Sequence, residues 1–422
     1  MRTYNLAVFS KLRHPLISNF LALLLLQGVN YILPLITVPY LFRVLNVEKY
    51  GLVNFSNAFI QYFIVFTDFG YNLSATRLIA EKRDDPEERS KIFNRVICSK
   101  MLLLLFGFII LISLTFTFDK FSENKTLYLF TYGMVMGNVL FPVWFFLGME
   151  KMKFITVITV ITRVLSLAPI FLLVKNTGDY ILVPVINSGG TILSGIISLV
   201  IVKRIFKIRY ALPPLNEIIL SLKDSAQFFI SRVSVSVYTV SNTFVLGFFG
   251  TNVMAGYYSA AEKLFIALQS AYYPLTNTLY PYMTKTKNVR VFKKIFFYAA
   301  LLNIIIIGAL IADTKDVIYI IYKIKDIQSA IVLKFLLIAC LMIVPSLMLG
   351  YPFLGAMGYS KYTNNSVIIS SLFHLTGLCT LVISNNLSVY SVACMVIFTE
   401  TVVLTIRLWG VRKYKLFKIP QL

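Results

Sequence analysis

The sequence has few of the residues that catalytic and metal sites usually employ. Its 422 residues include only two histidines, His14 and His374, and four cysteines, none of them in a CxxC pair. Histidine-based acid/base catalysis, a zinc site and a disulfide framework therefore have little basis. We expect no metal, no cofactor and no catalytic residues.

Long polar segments are also missing. Charged residues make up 14% of the chain and apolar residues 58%, with a mean hydropathy of +0.78, which lies outside the range of soluble proteins. A helix that crosses a bilayer needs about 20 apolar residues, and such blocks recur along the whole chain. We predict an all-α polytopic membrane protein with about twelve transmembrane helices. The predicted spans are residues 19–40, 51–73, 96–118, 127–147, 154–174, 181–202, 225–249, 256–283, 295–312, 330–354, 364–384 and 389–409.

The formal net charge of +22 could indicate a nucleic-acid-binding protein, but the positions of the basic residues argue against it. Lysines and arginines lie mainly in short loops between apolar blocks. With the N-terminus inside, 28 fall on the inner side and eight on the outer side. The positive-inside rule then predicts an even number of spans with both termini in the cytoplasm.

Two short segments predict an internal repeat. Residues 45–52 lead into the second span and end in Gly51-Leu52, and residues 250–257, about 205 positions later, lead into the eighth and end in Gly256-Tyr257. Six helices per half would give both halves the same orientation, related by a pseudo-two-fold axis along the membrane normal. We therefore predict a six-helix lobe at 1–202, a cytoplasmic linker at 203–224 and a second six-helix lobe at 225–422.

Several ionisable residues lie inside predicted spans, where a charge costs about 2.5 to 3.5 kcal/mol. We single out six: Asp68, Arg163, Arg232, Glu262, Lys263 and Glu400. At 1.5 Å per residue, Arg163 lies about 13 Å into the fifth span and Glu400 about 16 Å into the twelfth, both near the midplane. Such residues should face a hydrated interior or one another.

These charges have two interpretations. In the first they are internal salt bridges that set helix register. In the second, Arg163 and Arg232 bind an anionic headgroup, because guanidinium groups match phosphate bidentately. Asp68, Glu262 and Glu400 then become candidates for ion or proton coupling.

Aromatic residues form 15% of the chain. Many should lie at the membrane interfaces, where tyrosine is enriched. Tyr273 and Tyr280 in the eighth span are the candidates for stacking on sugar rings.

The N-terminal third resembles a known family. The matching residues occur in four short runs: 27–35 with Gln27, Gly28, Asn30 and Pro34; 39–45 with Pro39; Tyr50-Gly51; and 68–77 with Asp68, Gly70, Asn72 and Arg77. This pattern resembles Wzx-type O-antigen flippases, in the polysaccharide-transport branch of the multidrug/oligosaccharidyl-lipid/polysaccharide exporter superfamily. The match is dense over about 80 residues and diffuse after them.

The resemblance implies a bundle of two lobes that alternates between inward-open and outward-open states in the bacterial inner membrane. Its substrate would be an undecaprenyl-pyrophosphate-linked repeat unit carried to the periplasmic leaflet. A polysaccharide polymerase and a chain-length regulator would be partners.

Some of the family residues also have a physical interpretation. Gly28 would allow close helix approach, and Arg77 could simply anchor its helix at the headgroups. Prolines inside spans should kink helices without ending them; these are Pro34, Pro142, Pro169, Pro274 and Pro345.

Three alternatives remain. A multidrug exporter of the same superfamily would favour a cavity rich in carboxylates, whereas the interior charges here are balanced. A lipid II flippase is the second alternative. The resemblance implies that such a flippase would have two further helices, for which this chain has no room. A polymerase or ligase would need a large external loop, but the longest one, residues 313–329, has about 17 residues. We therefore favour a transporter over an enzyme.

Overall fold

The computed structural model describes the backbone of residues 15–418 and the side chains of residues 27–29, 33–229 and 240–417. The described backbone is helical and contains no strand, which confirms the all-α prediction. The helices are α1 (Pro15–Asp68), α2 (Tyr71–Glu81), α3 (Pro86–Thr117), α4 (Asp119–Ser122), α5 (Lys125–Leu140), α6 (Val143–Gly148), α7 (Met152–Leu173), α8 (Leu182–Arg204), α9 (Leu215–Phe248), α10 (Asn252–Ser270), α11 (Tyr273–Thr286), α12 (Val289–Ala312), α13 (Thr314–Tyr322), α14 (Ile327–Met348), α15 (Ser360–Ile383) and α16 (Val389–Lys413). A π-helical segment, Leu349–Gly355, follows α14, and short 3₁₀ turns occupy Thr177–Ile181 and Leu416–Lys418.

Among the described residues, nine helical segments are long and apolar enough to cross a membrane. The first of them, Gln27–Glu81, covers two predicted spans. The chain is therefore a multi-pass membrane protein. The predicted spans at 225–249 and 256–283 are not among the nine, so twelve helices remain a prediction with which the structure agrees.

Local sequence explains where several helices begin. The Asp85 carboxylate accepts hydrogen bonds from the backbone N–H groups of Glu87 and Glu88 at 3.0 and 3.1 Å, and Pro86 opens α3. An N-cap aspartate, a first-turn proline and first-turn acids all favour a helix start. Asn288, Asp326 and Ser388 cap α12, α14 and α16 in the same way.

The expectation that prolines inside spans do not end helices is right at three positions and wrong at two. Pro34 lies inside α1, Pro169 inside α7 and Pro345 inside α14. Pro142 instead separates α5 from α6, and Pro274 stands in the first turn of α11, after α10 has ended. Proline has no N–H to donate and is favoured in a first helical turn, so a helix restarts readily at these positions.

The chain forms two compact units. Unit 1 comprises residues 1–33, as far as they are described, and 56–237; unit 2 comprises 34–55 and 238–422. Helices α1 and α9 contribute to both. The division into lobes at 1–202 and 225–422 remains a prediction.

The core of unit 1 forms around α6. Trp144, Phe145 and Phe146 are fully buried there and pack with Phe93 of α3. Gly148 allows α6 to pack closely on α2, because a Cβ at this position would lie 2.7 Å from the Ile79 side chain. Beyond it, the Arg83 guanidinium lies 2.9 Å from the Glu150 carboxylate and lowers the pKa of that carboxyl.

The core of unit 2 forms around α14 and the π-helical segment. Phe353 stacks on Phe292 of α12 with ring centroids 4.2 Å apart. Gly350 interrupts the helical path with φ −65° and ψ −124°. The predicted span 330–354 therefore changes its helical form before it ends.

Candidate functional site

The first membrane charge, Asp68, is buried at the end of α1. Lys100 Nζ of α3 lies 3.7 Å from Asp68 Oδ1, and Lys100 is 1% exposed. Lys100 lies inside the predicted span 96–118 and is one of the 28 basic residues that the count by side assigns to the inner side. Asp68 thus has the ion-pair arrangement of the first interpretation, and its role in ion coupling remains a prediction.

Arg163 has a different environment. Exposed apolar side chains form one stripe of α7: Val157, Ile161, Val164, Leu165 and Leu172. At 100° per residue, Arg163 lies on nearly the opposite side of the helix, about 200° from Ile161, and it too is exposed. Thr156, Thr159 and Ser166 share its side. This polar stripe of α7 (Thr156, Thr159, Arg163 and Ser166) is directed away from the apolar surface.

The packing of α7 on α8 fixes this orientation. Thr162 and Ser194 share a hydrogen bond of 2.6 Å between their hydroxyls. Gly190 of α8 lies against Ser166, whose Oγ would overlap a Cβ at that position. Arg163 is therefore presented by a helix whose rotation is set by contacts within unit 1.

Two predicted residues lie outside the described side chains. Arg232 falls within α9 and Asn30 within α1, but the structure describes neither side chain. Gln27 is exposed at the surface. No described atom lies within 4 Å of the position that a Cβ of Gly28 would take, so the expected close helix approach at Gly28 is not observed among the described residues.

The second group of family residues forms the turn between α1 and α2. Gly70 has φ 79° and a Cβ there would lie 2.7 Å from the Phe228 Cβ, so both backbone conformation and space favour glycine. The backbone carbonyl of Asn72 accepts a hydrogen bond from the Thr76 hydroxyl. Arg77 is exposed and its Nε lies 2.7 Å from Glu81 Oε1, which agrees with a role at the membrane surface.

Gly51 and Gly256, the glycines of the predicted repeat, lie in one reciprocal contact. A Cβ at Gly51 would overlap the Asn252 carbonyl oxygen and lie 2.6 Å from the Gly256 nitrogen; a Cβ at Gly256 would overlap the Val47 carbonyl oxygen. Positions 47 and 252 are separated by the same offset as 51 and 256. Equivalent residues thus exchange equivalent contacts, as a two-fold relation requires. We call Val47, Gly51, Asn252 and Gly256 the glycine contact.

The carboxylates of unit 2 have separate surroundings. Glu262 is half-buried in α10 and accepts a hydrogen bond of 3.2 Å from the Thr243 hydroxyl. Glu400 of α16 lines a cavity of about 130 Å³. The other lining residues are Gln269, Ile343, Ser346, Leu347, Val367, Ser370, Val403 and Arg407. Glu400 and Arg407 are seven residues apart and therefore share one face of α16.

Arg407 lies inside the predicted span 389–409 and is also one of the 28 basic residues that the count by side assigns to the inner side, but the structure buries it. It is 7% exposed. Its Nε donates to Ser366 Oγ at 3.0 Å, and its Nη1 donates to the Ser346 carbonyl at 2.6 Å and to Ser346 Oγ at 3.1 Å. This guanidinium ties α14, α15 and α16 together. Lys334 was also left out of the charges singled out from the sequence, although it lies exposed within α14.

His374 joins four helices in a buried polar network. Its Nε2 lies 2.8 Å from Asn242 Oδ1, and its Nδ1 lies 2.8 Å from Thr399 Oγ1. Asn242 Nδ2 donates to the Tyr258 hydroxyl at 2.8 Å. The lone histidine of the late spans is therefore satisfied by neighbours on α9 and α16, which the sequence did not reveal.

The predicted sugar-stacking tyrosines belong to α11. Tyr273 is half-buried and Tyr280 is exposed, seven residues further along the same face. Tyr280 meets Tyr351 of the π-helical segment edge to face, with ring centroids 6.2 Å apart. Neither Tyr351 nor its hydrogen-bonding partner Asn364 was indicated by the sequence pattern.

Solved structures identify the fold. The chain resembles the solved structure of the lipid II flippase MurJ in its inward closed conformation, with a TM-score of 0.75 and 17% identity, covering 95% of this chain and 89% of that one. It also resembles an inward-facing multidrug resistance MATE family transporter, with a TM-score of 0.65 and 14% identity, covering 92% and 95%. This chain therefore shares the fold of these two structures.

The sequence comparisons specify the family. A profile of the polysaccharide biosynthesis protein family matches residues 16–287, and the chain belongs to this family. A protein of Escherichia coli (strain K12) named as an O-antigen transporter is 33% identical over 268 residues, which is 64% of this chain and 65% of that protein, slightly under two thirds of its length. A protein of Shigella dysenteriae with the same name is 32% identical over 291 residues, 67% of this chain and 71% of that protein.

Proposed function

We propose that the protein is a flippase for undecaprenyl-pyrophosphate-linked O-antigen or related polysaccharide repeat units. It moves them from the cytoplasmic to the periplasmic leaflet by alternating access and catalyses no reaction. Family membership and the names of the two bacterial relatives support this proposal. A polysaccharide polymerase and a chain-length regulator are the partners we expect.

The observation that carries the proposal is the exposed Arg163 on the polar stripe of α7. A guanidinium is always charged and forms paired hydrogen bonds with phosphate oxygens. On a membrane-spanning helix, a charged residue directed away from the apolar stripe marks a hydrated path. Such a residue can bind the pyrophosphate without exposing it to lipid tails. Arg232 is the second proposed ligand.

The proposed orientation places both termini in the cytoplasm of a bacterial inner membrane. It is supported by the 28 basic residues assigned to the inner side and the eight assigned to the outer side. The two lobes at 1–202 and 225–422 are the bodies that would move, and the glycine contact lies after the first predicted span of each lobe.

Proton coupling is the energetic part of the proposal, with Asp68, Glu262 and Glu400 as its candidates. A carboxylate that couples transport must be able to change charge and must be reached by water. Glu400 meets the second requirement best, because it lines a cavity that also contains polar groups of Gln269, Ser346 and Ser370.

Replacing Arg163 by glutamine should lower the flipping rate of a fluorescent undecaprenyl-pyrophosphate-linked oligosaccharide in reconstituted vesicles by about tenfold or more. The loss of a charged hydrogen bond costs about 1.5 to 3 kcal/mol, and each 1.4 kcal/mol is tenfold. Arg163→Lys should be intermediate, because an ammonium group retains the charge but not the paired geometry. Lys153→Gln, an exposed cation on the same helix, is the control. Full activity of Arg163→Gln would contradict the assignment.

Replacing Glu400 by glutamine should remove the response of flipping to an imposed pH gradient. The wild-type rate should change when the gradient is collapsed with a protonophore, and Glu400→Gln should give the same rate in both conditions. Glu48→Gln, an exposed carboxylate, should behave like wild type. A wild-type rate that ignores the gradient would refute proton coupling.

A further inference from the structure

Unit 2 carries an exposed group of two tyrosines and an asparagine from three different elements. Tyr280 of α11 is 42% exposed and Tyr351 of the π-helical segment is 48% exposed, with an interplanar angle of 73°. The Tyr351 hydroxyl and Asn364 Oδ1 of α15 are 2.6 Å apart, and the hydroxyl donates. We call Tyr280, Tyr351 and Asn364 the tyrosine platform.

The backbone turns Tyr351 outward. Its neighbours Leu349, Gly350, Pro352, Phe353 and Leu354 are buried. The non-helical ψ of Gly350 and the π-helical turn after it change the direction of the side chains, and π-helical turns often occur at functional sites. Gly355 then leaves space beside both rings, since a Cβ there would lie 3.0 Å from Tyr351 Cδ1 and 3.6 Å from Tyr280 Cε2.

The surroundings of the platform are polar. One face of α11 is exposed along its whole length and consists of Pro274, Asn277, Thr278, Pro281, Thr284 and Lys285. Exposed apolar residues would be expected on a surface facing lipid. On α15 the exposed apolar side chains Ile368, Ile369, Leu372 and Phe373 form one stripe, and Asn364 lies roughly 100° from its middle. The platform is therefore bordered on α11 by polar and proline side chains.

The depth of the platform in the membrane also fits a ligand that is exposed to water. Asn364 precedes the end of α15 at Ile383 by 19 residues, or about 29 Å of helix. This distance is close to the thickness of the hydrocarbon core. With the end of α15 at one membrane boundary, the platform lies near the other, where the glycan of a lipid-linked substrate is in water and its pyrophosphate is at the headgroups.

We propose that the tyrosine platform binds a sugar ring of the lipid-linked oligosaccharide. The negative faces of the tyrosine rings attract the polarised C–H groups of a pyranose. The Asn364 amide supplies two N–H donors for hydroxyl groups while its oxygen holds Tyr351 in place. This inference rests on the proposed function but concerns the glycan, whereas Arg163 concerns the phosphate.

The test measures equilibrium binding to the purified full-length protein in nanodiscs with two probes, bare undecaprenyl pyrophosphate and the same lipid carrying its oligosaccharide. Wild type should bind the glycosylated lipid more tightly. Tyr351→Ala and Tyr280→Ala should each weaken that binding by about three- to tenfold and leave binding of the bare lipid unchanged. Tyr351→Phe should keep most of the affinity, because the ring remains. Tyr298→Ala, an exposed tyrosine of α12, is the matched control.

The outcomes separate the two proposals. If wild type prefers the glycosylated lipid and the alanine variants keep that preference, the proposal that the platform binds sugar is wrong. The proposed flippase function is then unaffected. Equal weakening for both lipids also overturns the proposal for the platform, since the effect would then not depend on sugar. If wild type binds neither lipid, the proposed function fails and the platform fails with it.

Discussion

Replacing Gly51 by alanine is expected to lower the stability of the folded protein strongly. The added methyl group would overlap the Asn252 carbonyl oxygen and lie 2.6 Å from the Gly256 nitrogen and 2.8 Å from the Asn252 carbonyl carbon. All three are backbone atoms, which cannot rotate away, so the two helices must separate. Overpacking of a rigid contact costs about 1 to 3 kcal/mol or more. The thermal midpoint of the detergent-purified variant should fall clearly, together with its flipping rate.

Gly308→Ala is the matched control for this substitution. Gly308 lies inside α12 with no described atom within 4 Å of an added Cβ. Alanine is the better helix former by about 1 kcal/mol, so Gly308→Ala should leave the midpoint unchanged or raise it. Gly256→Ala should behave like Gly51→Ala, and the double variant should cost less than the two single losses added, because both break one contact. Equal midpoints for Gly51→Ala and Gly308→Ala would disprove the glycine contact.

Much of the fold could be predicted because lipid limits the choices of the backbone. Inside a bilayer every N–H and C=O group must be satisfied within the segment, so apolar blocks of sufficient length predict helices directly. The sequence also indicated Gly51 and Gly256 as equivalent positions. It could not show that they touch, because that contact depends on the packing of segments about 205 residues apart.

The breaks inside predicted spans were harder to anticipate. A proline at Pro345 stays within α14, whereas Pro142 and Pro274 accompany helix ends. The residue type is the same in each case, so its neighbours in the fold decide the result. At the bend at Gly350 the neighbour is Arg407, whose Nη1 would lie 2.9 Å from a Cβ at that position.

The sequence predicted least well the surroundings of basic residues near the ends of the spans. Counting charges by side groups such residues with the cytoplasmic loops, although Lys100 and Arg407 lie within the predicted spans 96–118 and 389–409. Lys100 is buried beside Asp68, and Arg407 is buried among Ser346 and Ser366. Serines carry no signal in a hydropathy profile, so their role as partners of a guanidinium becomes visible only in three dimensions.

Arg407→Met is expected to destabilise unit 2, because the buried guanidinium is hydrogen-bonded to groups of α14 and α15. The Ser346 carbonyl, Ser346 Oγ and Ser366 Oγ would lose the hydrogen bonds that the guanidinium donates, and leaving a buried polar group unpaired costs about 1 to 3 kcal/mol. Arg407→Lys should be intermediate, because an ammonium group does not reproduce the fork geometry. Thermal unfolding of the purified protein measures both variants. Arg412→Met, an exposed arginine of the same helix, should change stability by less than about 0.5 kcal/mol.

A second substitution separates charge from packing as the cause of this loss. Glu400 lines the same cavity as Arg407, so Arg407→Met leaves its carboxylate without the nearby positive charge. If charge matters, adding Glu400→Gln to Arg407→Met should recover part of the lost stability. If only packing and hydrogen bonds to the serines matter, the double variant should be no more stable than Arg407→Met.

Since Arg407 also packs against the bend at Gly350, its loss should loosen the segment that presents Tyr351. Binding of the glycosylated lipid should therefore weaken in Arg407→Met even at temperatures where the protein is still folded, and unchanged binding there would show that the bend holds its shape without the arginine.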